Sequence, residues 1–308
     1  MTAHHVQTTT STQTPGDGAL PGPPRRRWRP GRAARRAPLH VVLILLCGLW
    51  AVPVLGLLIS SLRTPYNIST SGWWKVFGDG NQISLLNYRD VLLNNHLATA
   101  FGNSLLIAVP AVVVLTCVGA IAAFALARMP FRGRGLVSAL LVALLVVPVQ
   151  MTLVPILRLY NTAHLTGTFV GIWLVHVGFA LPFAVYLMRT FFAAIPNHIF
   201  EAADTDGASP LAAFLRLAVP LARPALASVA IFQFIWIWND LLIALIFLGG
   251  DPSVAPLTVT IANLISSTTG QGWELLTAAA FIAMALPMLI FFALQRYFVR
   301  GLLAGAVK

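Results

Sequence analysis

The chain has 308 residues, of which 58% are apolar and only 9% charged, and its formal net charge is +11. A soluble domain carries nearer a quarter charged residues, so this composition excludes a water-soluble globular protein and indicates an integral membrane protein. The positive charge does not indicate nucleic acid, because Lys and Arg lie in short loops beside apolar runs and form no single patch interleaved with aromatics.

Residues 1–38 are rich in Thr, Pro, Gly and Arg, with too little apolar content to fold, and are expected to be a disordered basic cytoplasmic leader. Apolar runs long enough to span a hydrocarbon core of about 30 Å then follow at residues 39–62, 97–127, 136–157, 168–191, 222–248 and 275–298, which predicts an all-α polytopic protein with six transmembrane helices. The first run is too long, starts too late and lacks a small-residue cleavage site for a signal peptide, so it is expected to be retained. Cys47 and Cys117 both lie inside apolar runs, where a thiol behaves as a small hydrophobe, and no disulfide or metal site is expected. Pro53, Pro110, Pro148, Pro182 and Pro287 fall within the runs, so kinked helices are expected, with neighbours re-satisfying the freed carbonyls. Counting Lys and Arg in alternate connecting segments places 16 on one side and 4 on the other. The positive-inside rule therefore puts both termini and the loop of residues 190–221 in the cytoplasm. No internal repeat is evident, and residues 39–308 read as one membrane domain.

Between the fourth and fifth runs lies EAADTDGASPLAAFLRLAVPLARP, residues 201–224. Ile195-Pro196-Asn197 reads as a helix start with proline in the first turn. Apolar or small residues recur at Phe200, Ala203, Gly207, Leu211, Phe214 and Ala218, which predicts one apolar face and leaves Glu201, Asp204 and Asp206 mostly on the other. Asp206-Gly207 reads as a helix stop, Ser209-Pro210 as an N-cap and first-turn proline, and Pro220 and Pro224 as the end of the second helix. From the residues alone, this helix-turn-helix is either an amphipathic element on the inner leaflet or a docking knob. Three acids facing anionic lipid argue mildly against the first, and Ala202, Ala203 and Gly207 would permit the close backbone approach of the second.

Glu201-Ala202-Ala203, then Asp206-Gly207-Ala208, then Pro220-Leu221, together resemble the EAA loop of ABC importer permeases. Asn87-Tyr88, Asn103-Ser104, Arg189 with Phe191-Phe192 and Ile195-Pro196, Trp238-Asn239-Asp240, Gln295-Arg296-Tyr297-Phe298 and Gly305-Ala306-Val307-Lys308 extend the likeness over about residues 39–308 and are similar to the carbohydrate-uptake branch, related to the smaller permease of the maltose transporter. Arg216 departs from the pattern at a position expected to be solvated. The resemblance implies the type I ABC importer permease fold with a cytoplasmic coupling helix. It also implies that Glu201, Ala202, Ala203, Asp206, Gly207 and Ala208 seat in a cleft of an ATP-binding subunit, whose closure rocks the membrane helices between inward-open and outward-open states.

The chain lacks a GxxxxGK[ST] phosphate loop, so ATP and Mg are expected to serve the partner ATPase, with no cofactor bound here. It lacks HExxH, CxxC and GxSxG arrangements, and its seven histidines are scattered and read as isolated hydrogen-bonded residues, so it is expected to be no enzyme.

For the solute path, polar residues at membrane depth are the candidates, since an ionisable group there costs at least about 2.5 kcal/mol and usually faces an interior cavity. The topology puts Asn103 and Ser104 near the outer end of the second span and Gln150 in the outer part of the third. Asn239 and Asp240 lie about 13 Å below the outer end of the fifth, at 1.5 Å per residue. Trp236 and Trp238 flank that pair, and indole faces beside hydrogen-bonding groups suit a sugar, which offers apolar C–H faces and a rim of hydroxyls. The alternative is that these polar groups knit helices together, with Asp240 capping a broken helix or pairing with an arginine of a sister chain. In the outer loop of residues 63–96, Trp73, Trp74 and Tyr88 are candidates for interface anchoring or for docking a binding protein.

The sequence is thus identified as a permease subunit of a sugar ABC importer in the plasma membrane. The partners that the resemblance implies are a second permease subunit forming a heterodimer, two ATPase subunits and an extracytoplasmic solute-binding protein. The rivals are a permease for another solute such as glycerol phosphate, which would need a more basic cavity, and a polytopic membrane enzyme or channel.

Overall fold

A computed structural model describes residues 31–78, 83–94, 96–268 and 272–306. The chain divides into two compact units, residues 1–51 and 52–308. Most of the leader, and the terminal Val307-Lys308, lie outside the described residues. The helix α1 (Gly31–Ser61) starts earlier than its apolar run, and the large apolar side chains between Leu39 and Trp50 are exposed, as suits a helix in hydrocarbon.

Among its described residues, the regular structure of the second unit is helical apart from one isolated β-bridge between Arg63 and Ile83. Among the described residues, five helical segments are long and apolar enough to cross a membrane: Ala37–Ser61, Leu97–Arg128, Phe169–Ala194, Pro210–Trp238 and Trp273–Gln295. The third predicted span is not one helix. It is α5 (Arg134–Val146) and α6 (Val149–Thr162), bent by 103° at Val147-Pro148. Pro148 has no N–H to continue the ladder, and it forces Val147 into an extended conformation (φ −71°, ψ 119°), so the apolar run folds back on itself. The apolar run is blind to this break because both arms remain hydrophobic.

The frame is the parallel pair α4 (Leu97–Arg128) and α7 (Phe169–Ala194), whose contacts advance together from Leu106–Trp173 to Phe124–Phe192. Small residues let the backbones approach closely: a Cβ added to Gly119 would meet the Met188 sulfur at 3.5 Å and the Ala184 Cβ at 3.6 Å. In lipid there is no hydrophobic drive between helices, so such close packing is what holds them. Two buried clusters result. One, near the Leu97 end of α4, joins α4 and α7 to Phe234, Ile237 and Trp238 of α10 (Val219–Trp238) and to Ala278 and Ala279 of α13 (Trp273–Ala306). The other, at the opposite end, joins Ala120, Ala123 and Phe124 to Ala184, Met188, Phe192, Phe214 and Ala218.

The carbonyls freed by two of the helix prolines are re-satisfied by neighbours, as expected. Pro110 withholds the N–H that would bond the Leu106 carbonyl, and the Trp173 indole of α7 donates to that carbonyl at 2.7 Å. Pro287 does the same to Ala283 in α13, and the Trp238 indole of α10 donates to that carbonyl at 2.9 Å.

The link from α6 to α7 turns on Gly171, where a Cβ would sit 2.0 Å from the Leu165 carbonyl oxygen. Gly171→Ala is therefore expected to shift the turn and cut the amount of folded chain in the membrane several-fold. Fluorescence-detected size-exclusion of detergent extracts checks this, and a wild-type peak would show that the turn yields. Beyond α1, the polar chain is pinned by Asn87, on α3 (Leu86–Asn94), whose amide donates to the Ser61 and Arg63 carbonyls at 2.9 and 2.7 Å, while the Tyr88 and Ser61 hydroxyls lie 2.6 Å apart. Tyr88 is thus committed to holding the end of α1.

Candidate functional site

Two sites emerge, at opposite ends of the second unit. At the first, α8 (Asn197–Thr205) is closed by a Schellman motif: Ala208 N–H bonds the Ala203 carbonyl at 2.9 Å, and Gly207 N–H bonds the Asp204 carbonyl at 3.1 Å. Gly207 sits at φ +76°, where a side chain would be strained. Ser209 caps α9 (Pro210–Ala213), accepting from Ala212 N–H at 3.3 Å, as its Ser-Pro signature predicts. The second helix does not stop at Pro220 or Pro224. It passes through a π-helical turn, Phe214–Ala218, and continues as α10 to Trp238. The wide turn falls just before Pro220, which has no N–H to place in an α ladder, so the helix crosses both prolines.

Within this loop Ala203 is buried, whereas Glu201, Ala202, Asp204, Asp206 and Gly207 are exposed and Ala208 is half-buried. The acidic rim therefore faces away from the bundle. The loop is keyed to the spans by aromatic rings: Phe124 of α4 lies 5.9 Å from Phe192, 6.1 Å from Phe200 and 5.2 Å from Phe214, centroid to centroid. Leu211, predicted on the inner face, is 66% exposed, because the chain changes direction at Gly207 and the register of the apolar face restarts.

At the second site α10 ends at Trp238, and the chain breaks over Asn239, Asp240 and Leu241 before α11 (Leu242–Leu248). The predicted fifth span, residues 222–248, is therefore discontinuous. Asn239 turns its side-chain amide back onto the Ile235 carbonyl at 2.8 Å, and the Asp240 carboxylate accepts from Ile243 N–H at 3.3 Å and Ala244 N–H at 2.9 Å. Asp240 thus caps the second half-helix, and the break survives at membrane depth because its backbone groups are re-satisfied. The Asp240 main-chain carbonyl in turn accepts from the Thr258 hydroxyl at 2.6 Å.

Beside the break lies a cavity of about 530 Å³, walled by Phe232, Ile235, Trp236, Asn239, Asp240 and Leu242. Of the candidates read from the sequence, it gathers Trp236, Asn239 and Asp240. Trp238 is not among them. It is buried, stacks on Phe234 at 5.5 Å and spends its N–H on Ala283, so it has no face for a solute. Asn103 is likewise buried and donates to the Ser253 and Ala255 carbonyls, both at 3.1 Å, while Ser104 accepts from Leu257 N–H at 2.9 Å. The pair clamps the loop after α11. Gln150 is exposed on α6, one residue past Val149, and is absent from the cavity wall.

Sequence reasoning passed over two further residues here. His176 of α7 is 1% exposed and, among the described residues, neither ring nitrogen has a hydrogen bond. Its Nε2 stands 3.9 Å from the Asp240 carboxylate, too far for a hydrogen bond, and its ring meets the Trp236 indole edge-on at 5.8 Å. It is thus not the ordinary hydrogen-bonded histidine expected from sequence. Gln233 is 3% exposed, with an unpartnered Oε1 on a hollow of about 130 Å³ shared with Trp236, Phe179 and Phe183. Both residues interrupt apolar runs, which is the signal that could have found them.

A family profile described as "Binding-protein-dependent transport system inner membrane component" matches residues 97–303. The chain is 50% identical to the "Osmoprotective compounds uptake permease protein GgtD" of Synechocystis sp., over 89% of this chain and 93% of that protein. It is 38% identical to the "Alpha-glucoside transport system permease protein AglG" of Rhizobium meliloti, covering 89% of this chain and 99% of that one. It is 34% identical to the "Trehalose transport system permease protein SugB" of Mycobacterium tuberculosis, again over 89% and 99%. Among solved structures, a chain of a bacterial ABC transporter involved in the import of the acidic polysaccharide alginate superposes with a TM-score of 0.72 at 21% identity, over 86% of this chain and 98% of that one, and this likeness is one of fold. The architecture is that of the type I ABC importer permeases. With the profile running through more than half of its length and including both sites, the chain belongs to the family of binding-protein-dependent transport system inner membrane components.

Proposed function

We propose that the chain lines the path of a sugar or oligosaccharide through the plasma membrane, as one of two permease subunits served by a solute-binding protein and by two ATPase subunits. The observation that carries the driven half of this reading is the Glu201 loop, a rigid Schellman-capped knob whose carboxylates point away from the bundle. Its seat is the ATPase, where ATP and Mg act. The Lys and Arg asymmetry supports a cytoplasmic position for this loop and for both termini. The sugar half is supported by the relatives AglG and SugB, whose names specify alpha-glucoside and trehalose. It is supported too by the cavity beside Asp240, where the exposed Trp236 indole and the Asn239 and Asp240 polar groups offer an apolar face with hydrogen-bonding partners. Its volume lies in the range of small-molecule sites.

Two substitutions at one position test the loop. Proline cannot adopt φ +76° and has no N–H for the Asp204 carbonyl, so Gly207→Pro is expected to lower uptake more than about tenfold at equal membrane abundance. Gly207→Ala, strained by about 1–2 kcal/mol, is expected to lower it less. The measurement is uptake of a labelled mono- and oligosaccharide panel by cells with the intact chain, without it, and with each variant; wild-type uptake with Gly207→Pro would remove the loop from coupling.

A second reading is favoured by one comparison: the relative at 50% identity is named for osmoprotective compounds. A small polyhydroxylated osmolyte fits the same cavity, and the panel therefore includes such solutes at raised osmolarity. A glycerol phosphate-like anion is disfavoured, because the wall of the cavity carries Asp240 and no Lys or Arg.

A further inference from the structure

Arg128 ends α4, and in the sequence it is one more cation of the positive-inside count. In the fold it is a joint. Its Nε and Nη2 both donate to the Phe192 carbonyl, at 3.0 and 2.5 Å, Nη2 also donates to the Ile195 carbonyl, and Nη1 donates to the Asn197 side-chain oxygen at 2.5 Å. Four N–H···O bonds thus leave a group that has five donors. The face of the same guanidinium lies over the Phe200 ring, 4.5 Å from its centroid. Phe192 lies in the last turn of α7 and Ile195 is its C-cap, and a cation at this end stabilises the helix by capping and by the helix dipole. Asn197 and Phe200 belong to the first turn of α8. One side chain therefore binds the end of α4, the end of α7 and the start of the Glu201 helix, directly above the ring cluster of Phe124, Phe192, Phe200 and Phe214.

We infer that Arg128 is the positioning residue that makes α8 move as one body with α4 and α7, so that displacement of the loop reaches the spans without slack. The inference rests on the proposed role of the Glu201 loop as the ATPase contact. Without the guanidinium, α8 keeps its ring packing and two chain connections, the short turn Ile195-Pro196 on one side and the Gly207 turn into α9 and α10 on the other, and links at turns let the helix pivot. The fork geometry matters more than the charge. A lysine keeps the positive charge but is a single ammonium on a flexible stem, which cannot bond three separate oxygens and lie flat on Phe200 together.

The test uses the complete transporter in lipid nanodiscs: this chain, its sister permease and the ATPase subunits, with cysteine removed everywhere except at two labelled positions. Nitroxides are placed at Thr205→Cys on α8 and Val113→Cys on α4, both exposed, with Val113 about 22 Å of helix rise from Arg128 along α4. Distance distributions are measured by pulsed electron resonance, nucleotide-free and with ATP plus vanadate. The parent is expected to give one narrow peak at the same distance in both states. Arg128→Lys is expected to at least double its width, and Phe200→Leu, which removes the ring and none of the hydrogen bonds, to broaden it less. A parent distance that changes between the states, or an Arg128→Lys peak as narrow as the parent's, overturns the inference. If Arg128→Lys fails to accumulate, Phe200→Leu decides alone, and an unbroadened peak there overturns it. Cross-linking from Thr205→Cys to the ATPase separates the two layers: its absence in the parent removes the loop reading, while the width of the peak still judges the joint.

Discussion

Trp238→Phe is expected to destabilise the protein by about 1–2 kcal/mol, and adding Pro287→Ala is expected to restore most of the loss. The reason is arithmetic on one carbonyl. Proline at 287 leaves Ala283 without its helical N–H, and the Trp238 indole supplies the missing donor at 2.9 Å. Phenylalanine keeps a ring against Phe234 and Phe101 but offers no N–H, so the carbonyl stays unpaired where little water reaches. An orphaned buried acceptor costs about 1–3 kcal/mol, but hydrogen bonds inside membranes average nearer about 0.6 kcal/mol, because the reference state also finds partners. The lower part of that range is therefore expected. Alanine at 287 restores the i to i−4 bond, so the indole N–H becomes redundant and the two substitutions are non-additive. Trp173→Phe with Pro110→Ala forms the parallel pair, through the Leu106 carbonyl. Midpoints of SDS-induced unfolding measure both cycles. Simple additivity in the Trp238 cycle would mean that the indole stabilises by ring packing and that its bond to Ala283 is incidental.

The same residue illustrates how far the sequence reads. That Trp238 lies at membrane depth beside Asn239-Asp240 follows from spacing alone, and a sugar platform was a sound expectation. Its donor, however, is claimed by a carbonyl 45 positions away on another helix. No local pattern carries that information. Asn103 is misread for the same cause, since its partners Ser253 and Ala255 lie about 150 positions on. The Glu201 loop was legible because its determinants are local: a glycine that must take positive φ, and a Ser-Pro start that brings its own cap. The breaks at Pro148 and Asn239 were not, because hydrophobicity reports depth and stays high on both sides of a bend. In the sequence Arg128 reads only as a cation, because its bonds to the end of α7 and the start of α8 depend on how α4 and α7 pack. Local chemistry is thus written in order along the chain, while the allocation of each buried donor is a property of the assembled bundle.

Asp240 combines both kinds of information, and its substitutions are expected to separate them. Its carboxylate accepts two backbone N–H groups at the start of α11 while facing the cavity beside Trp236. Asparagine retains one carbonyl oxygen for the cap and loses the charge, so Asp240→Asn is expected to leave folding and assembly intact and to lower uptake severalfold. Alanine removes both acceptors, orphaning the N–H groups of Ile243 and Ala244, and is expected to cost about 1–3 kcal/mol as well as transport. The two variants are compared by the amount of assembled complex and by uptake of the solute that the panel identifies. A role in capping alone predicts that Asp240→Asn transports like wild type and that Asp240→Ala fails in proportion to its lost protein. A role in the path predicts that Asp240→Asn fails at full assembly. His176 sharpens the distinction, since it stands 3.9 Å behind the carboxylate and does not touch α11 through any hydrogen bond. His176→Phe keeps the edge contact with Trp236 and leaves the cap untouched, so a fall in uptake with that variant, at equal assembly, would come from the polar support behind the Asp240 carboxylate and not from the helix break.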